Sequence, residues 1–111
     1  MSDAWPTVKL ELSGTVLAVH VGDVSKRSDR ERLVVRVHLR LSAAARALDN
    51  TGQAQLPAGR EVGLVATQTR WLRQLGRLPR VGEILNGVAD PQGEPWLALQ
   101  SASWPTSPGS P

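Results

Sequence analysis

The chain has no cysteine, no phenylalanine and no tyrosine among its 111 residues. Without cysteine, disulfides and thiolate metal sites are excluded, and a reducing compartment is permitted. Without Phe or Tyr, packing of Leu, Val and Ala has to supply most of the core. Long apolar runs are lacking as well, and none approaches the roughly 20 residues that cross a bilayer. The first residues, Met1-Ser-Asp-Ala-Trp-Pro6, carry neither the basic n-region nor the apolar h-region of a signal peptide. The expectation is a soluble, cytoplasmic protein with no membrane partner. This length supports one domain with a single modest core.

Catalytic signatures are missing too. His20 and His38 are the only histidines, and no third ligand completes a zinc pattern. No P-loop, dinucleotide fingerprint or nucleophile elbow is present. The chain reads as a non-enzyme without cofactor or metal.

What is present is a cationic bias with a pattern. The formal net charge is only +3, but seven basic residues fall between Lys26 and Arg46 against Asp29 and Glu31. Four arginines and no acid lie between Arg70 and Arg80. Such asymmetry can make a patch that attracts a polyanion, or a merely solubilising surface.

Residues 10 to 41 read as two long strands joined by a charged turn at 22 to 31. In the second, Leu33, Val35, Val37, Leu39 and Leu41 alternate with Arg36, His38 and Arg40, so one face is buried and the other is wet and cationic. In the first, apolar parity runs through Val8, Leu10 and Leu12 and changes by Leu17, Val19 and Val21. That change predicts a bulge or bend at Gly14, with Leu12 and Leu17 both facing the core.

After Leu41 the segment from Ser42 to Asp49 reads as a helical turn or a strand extension. Asn50-Thr-Gly-Gln and Leu56-Pro-Ala-Gly then mark a long second loop. A third strand spans Glu61 to Gln68, with Val62, Leu64 and Ala66 as its core set. A helix is predicted over 69–76, capped by Thr67 or Thr69 and ended by Gly76 and Pro79. Leu72 and Leu75 would be its docking face, with Arg70, Arg73 and Arg77 a separate stripe and Trp71 a packing residue. A final hairpin runs from Val81 to Trp104, and Trp96 differs in parity from Leu97 and Leu99, so it points outward. Residues 1–6 read as a leader in which Trp5 can tuck against the domain of 7–104. Residues 105–111 read as a disordered Pro/Ser/Gly tail.

The order strand, strand, strand, helix, strand, strand is that of a five-stranded OB-fold-like barrel, all-β with one short helix between strands three and four. Leu12-Ser-Gly-Thr-Val16, Gly63-Leu-Val-Ala-Thr67 and Val81-Gly-Glu-Ile-Leu-Asn-Gly-Val88 resemble the OB-fold family, and within it the bacterial single-stranded DNA-binding proteins and primosomal replication protein B. The resemblance covers roughly residues 8 to 103. It implies binding of single-stranded nucleic acid, DNA foremost, over the second and third strands. The residues expected to carry it are Lys26, Arg27, Arg30, Arg36, His38, Arg40, Arg70, Arg73 and Arg77. Nothing aromatic falls on the second or third strand, which leaves the arginines to do more of the binding. The alternative is a non-enzymatic protein–protein interaction module, serving as an accessory subunit or a homo-oligomer.

Overall fold

The computed structural model describes residues 5–23 and 33–105. Residues 1–4, the loop of 24–32 and residues 106–111 lie outside the described residues, and with them most of the leader and tail, and Lys26, Arg27 and Arg30 of the expected binding set. The elements are β1 (Leu10–Asp23), β2 (Leu33–Leu41), β3 (Ala45–Ala47), β4 (Ala54–Leu56), β5 (Glu61–Thr67), α1 (Gln68–Leu75), β6 (Ile84–Pro91) and β7 (Trp96–Ser103).

Strands β2-β5-β7-β6-β1 follow one another around the sheet, and β1 pairs with β2 to close it. All neighbours are antiparallel except β5 and β7, which run parallel. The result is a closed five-stranded OB-fold-like barrel, with α1 between its third and fourth strands. The extra pair β3 and β4 lies within the long second loop and extends the sheet beside β1. The loop between them is tied by the Asp49 carboxylate, which accepts from the Thr51 amide at 2.8 Å and its hydroxyl at 2.6 Å.

The β2 alternation holds from Val35 onward: Val35, Val37, Leu39 and Leu41 are buried, and Arg36, His38 and Arg40 are not, whereas Leu33, expected on the buried face, is exposed at the start of the strand. In β1 the sequence expectation has to be corrected. Pairing with β2 and β6 is regular through Gly14, and the register shift falls between Val16 and Ala18. Leu17 is therefore the extra residue of a β-bulge, and it is half-buried rather than core-facing. Leu10, Leu12 and Val16 face the core before the bulge, and Val19 packs against it afterwards. Gly14 has a different role. It sits where β1 is paired on both edges, to Leu41 and to Leu85, and a Cβ there would come within 2.7 Å of the Arg40 carbonyl oxygen.

The helix plugs one end of the barrel. Thr67 caps it, its hydroxyl accepting from the Arg70 amide at 3.2 Å. Gly76 ends it in the left-handed region (φ 82°), its amide donating to the Leu72 carbonyl at 2.8 Å, a conformation glycine adopts without steric cost. The docking face is Trp71 and Leu75, not Leu72 and Leu75. Leu72 is 42% exposed, whereas Trp71 is wholly buried and its indole Nε1 donates to the Val35 carbonyl at 3.0 Å. Residues four apart stack along one helix face, and an indole offers far more apolar area than a leucine while still needing a partner for its N–H.

This packing sets the expected cost of three substitutions. Leu75→Ala should cost about 2–5 kcal/mol in denaturant unfolding, as buried leucines do, while Leu72→Ala should stay within about 1 kcal/mol, as at exposed sites. Gly14→Ala should cost roughly 1–3 kcal/mol by overpacking against backbone, and an unchanged midpoint would refute the close approach at Arg40.

Candidate nucleic-acid interface

Strand register sets two rows of outward side chains across the barrel wall. One row runs Ala18, His38, Gly63, Trp96, and the other His20, Arg36, Val65, Ala98. Adjacent strands lie about 4.8 Å apart, so Trp96 and His38 are separated by the whole width of β5. The indole spans that width because the intervening residue has no side chain. A Cβ on Gly63 would meet the Trp96 ring at 2.5 Å. Lying across Gly63, the ring reaches His38, with centroids 5.4 Å apart and planes at 63°. The Arg36 guanidinium stands 5.6 Å from the same ring, and His20 meets His38 edge-on at 5.5 Å.

These residues line a cleft of about 630 Å³, together with Val65, Gln92 and Ala98. Its lining includes the Arg36 cation and, among the described residues, no carboxylate. The next residues along the β5–β7 seam, Thr67 and Gln100, open a second cleft with Arg70 and Arg73 and again no acid. A larger hollow of about 710 Å³ lies elsewhere, between the β3 segment and the outer faces of β1, β6 and β7. Its main lining is small and neutral, its charges Glu11 and Arg46 oppose each other in register, and it has no aromatic. The seam, not the larger hollow, suits an anionic ligand with flat bases.

The expected arginines separate into groups. Arg36 and His38 stand at the centre of the face. Arg40 is exposed at its edge, 3.5 Å from the Glu61 carboxylate, a surface contact of little energetic weight. Arg70 anchors to the Leu99 carbonyl at 3.2 Å and lines the second cleft with Arg73. Arg77 does not belong with them. It lies beyond the end of α1, and its guanidinium makes a two-pronged contact with Glu83, 2.8 Å at the first oxygen, while stacking 4.3 Å from the Trp104 ring. That side chain is engaged in holding the fold. Trp96 was expected to point outward but was not among the expected site residues, and neither were His20 and Gly63. The latter two are recognisable only once the bulge and the register are known.

The Arg77–Glu83 contact has a measurable signature. The hydrogen bonds from Arg77, aided by the Arg80 amide, hold the Glu83 carboxyl at about 2, well below its ordinary 4.5. A depressed folded-state pKa means stability that is present above the ordinary value and lost as pH falls toward the folded one. Glu83→Gln should therefore melt below wild type at neutral pH, with the gap closing between about pH 4.5 and pH 2. A gap that persists at the acid end would refute the ion pair as its source.

No protein-family model matches this chain, and no curated protein matches it either.

Proposed function

We propose that the barrel binds single-stranded nucleic acid, DNA foremost, on the outer face of β2, β5 and β7. The observation that carries this reading is Trp96, turned out of the core and laid across Gly63 beside Arg36 and His38. An outward indole beside a guanidinium offers a base a flat partner and offers its phosphate a counter-charge. Arg40 extends the cationic surface along β2, and Arg70 with Arg73 extends it along the seam. In a duplex each base is already stacked on both faces, so the Trp96 platform favours an unpaired strand.

Anisotropy of a labelled oligothymidylate, titrated at several salt concentrations beside a duplex of equal length, tests the reading. Single strand should bind more tightly than duplex. Trp96→Ala should weaken binding by about 1–3 kcal/mol, the usual contribution of one base stacked on an aromatic. Arg36→Ala or Arg40→Ala should reduce the log K against log salt slope by about 0.7 for each phosphate deprived of its cation. Wild-type protein that binds no single strand at low salt would overturn the proposal.

A further inference from the structure

We infer that His20 and His38, together with Arg36, form a phosphate subsite whose occupancy is coupled to proton uptake. The inference rests on the strand-binding reading above and adds to it a residue, His20, and a second ligand, the proton.

The geometry begins with the bulge at Leu17. In β1, Leu10, Leu12, Gly14 and Val16 point inward, and continued alternation would send His20 inward with them. The extra residue reverses the parity, so His20 emerges on the outer face directly opposite Arg36 and diagonal to His38. The two imidazoles then lie 5.5 Å apart, nearly perpendicular, and both line the cleft beneath Trp96. Three groups that are cationic, or become so on protonation, converge where the described lining supplies no acid.

Among the described side chains, the charged groups on the surrounding elements do not neutralise this cluster. On β2, Arg40 adds positive charge and is in contact with the Glu61 carboxylate of β5. On β6, Asp90 shares the row of His20 and Arg36 but lies beyond Val65 and Ala98. It does not line the cleft that His20, Arg36 and His38 share. In the turn before β7, the Glu94 carboxylate is bound to Arg60 at 2.6 Å.

In the free protein, protonating both imidazoles sets three positive charges against one another, and like charges this close repel even near the surface. A phosphodiester in the cleft turns those repulsions into attractions to a shared anion. It also accepts hydrogen bonds from imidazolium rings, in which both nitrogens donate. Each ligand therefore strengthens the other, because a coupling free energy is reciprocal. Histidine ordinarily titrates near 6.5, so affinity for the strand should rise as pH falls through that region.

The chain has only two histidines, so imidazole NMR signals of the untagged protein report on this pair alone. The probe is oligothymidylate without terminal phosphates, since its diesters and thymines do not titrate between about pH 5 and 8, whereas a terminal phosphate does. Titrating free and saturated protein should show both imidazole midpoints moving upward on binding. Calorimetry in two buffers of different ionisation enthalpy should register net proton uptake near pH 6.5. Affinity should rise at least about tenfold from pH 8 to pH 5.5, given where histidine titrates, and that ratio should collapse in a His20→Gln, His38→Gln double variant. Unmoved imidazole midpoints with no proton uptake, in protein that still binds the strand, would overturn the subsite and leave the strand-binding reading standing. A pH ratio that survives in the double variant would also overturn it. Absence of strand binding at every pH at low salt would remove both.

Discussion

The bulge at Leu17 is the constraint on which the rest of the barrel depends. Strand β1 pairs with β6 through Thr15 and with β2 from Gly14 to Asp23, so a single strand serves two parts of the wall. The bulge bends it between them and exchanges its faces. Backbone groups beside such a site still need partners. The Val16 amide donates to the Glu83 carbonyl, and the Val16 carbonyl accepts from the Gly82 amide, both at 2.8 Å. The loop before β6 thus continues the ladder where the strand pairing ends. Its position is held by Glu83, gripped by Arg77 and by the Arg80 amide. Arg77 stacks on Trp104, whose Nε1 donates to the Leu75 carbonyl at 2.9 Å. An unbroken series of contacts therefore runs from the bulge to the end of α1.

Closure on the opposite side uses a different device. The parallel pairing of β5 with β7 covers only Gly63 to Val65, and beyond it the edge of β7 needs other partners. The helix supplies them through side chains. Arg70 donates to the Leu99 carbonyl, and the Gln74 side-chain oxygen accepts from the Ala102 amide at 3.4 Å. Trp71 fills the space beneath and ties itself to β2. Polar residues on the helix take the place of missing strand hydrogen bonds while its apolar face seals the core. An eight-residue helix too short to persist alone is fixed by this double duty.

Much of this was legible in the sequence, and the parts that were not share a cause. Element order, the alternation of β2, the outward parity of Trp96, the Thr67 cap and the Gly76 terminus are all local patterns, and they carried over. Parity also showed that β1 exchanges its faces somewhere after Leu12. It could not show where, because Gly14 offered a reason to bend that turned out to be a reason for close approach. In α1 the reading of Trp71 as a packing residue carried over, whereas Leu72, paired with Leu75 by i, i+3 spacing, lies off the buried face because the i, i+4 pair of Trp71 and Leu75 takes it. The β3–β4 pair is too short to carry a periodic signal. Lying outside local pattern altogether are Gly63 and His20. A glycine that lets an indole cross a strand, and a histidine turned outward by a bulge, acquire meaning only from register. The resemblance to single-strand binders directed attention to the second and third strands for an aromatic. The barrel supplies one from the last strand, across the parallel seam.

That substitution bears on how such a face would work. Among the described residues, the cleft holds one large aromatic, and one side of its ring is already occupied by the backbone at Gly63. A single stacked base contributes about 1–3 kcal/mol, far less than the roughly 8 kcal/mol of a micromolar complex. The remainder has to come from phosphate contacts, and these are spread out: Arg36 at the centre, Arg40 at one margin, Arg70 and Arg73 along the seam. Strand binding as proposed for this face would then be steep in salt and tolerant of sequence, since counterion release carries no base information. The Arg36–Trp96 contact matters more for geometry than for energy. A cation near an indole at an exposed site contributes about 0.5–1 kcal/mol, enough to bias both side chains toward this arrangement before a ligand arrives. A guanidinium already poised beside the ring can turn one edge to a phosphate without leaving it, so charge and stacking act on the same nucleotide.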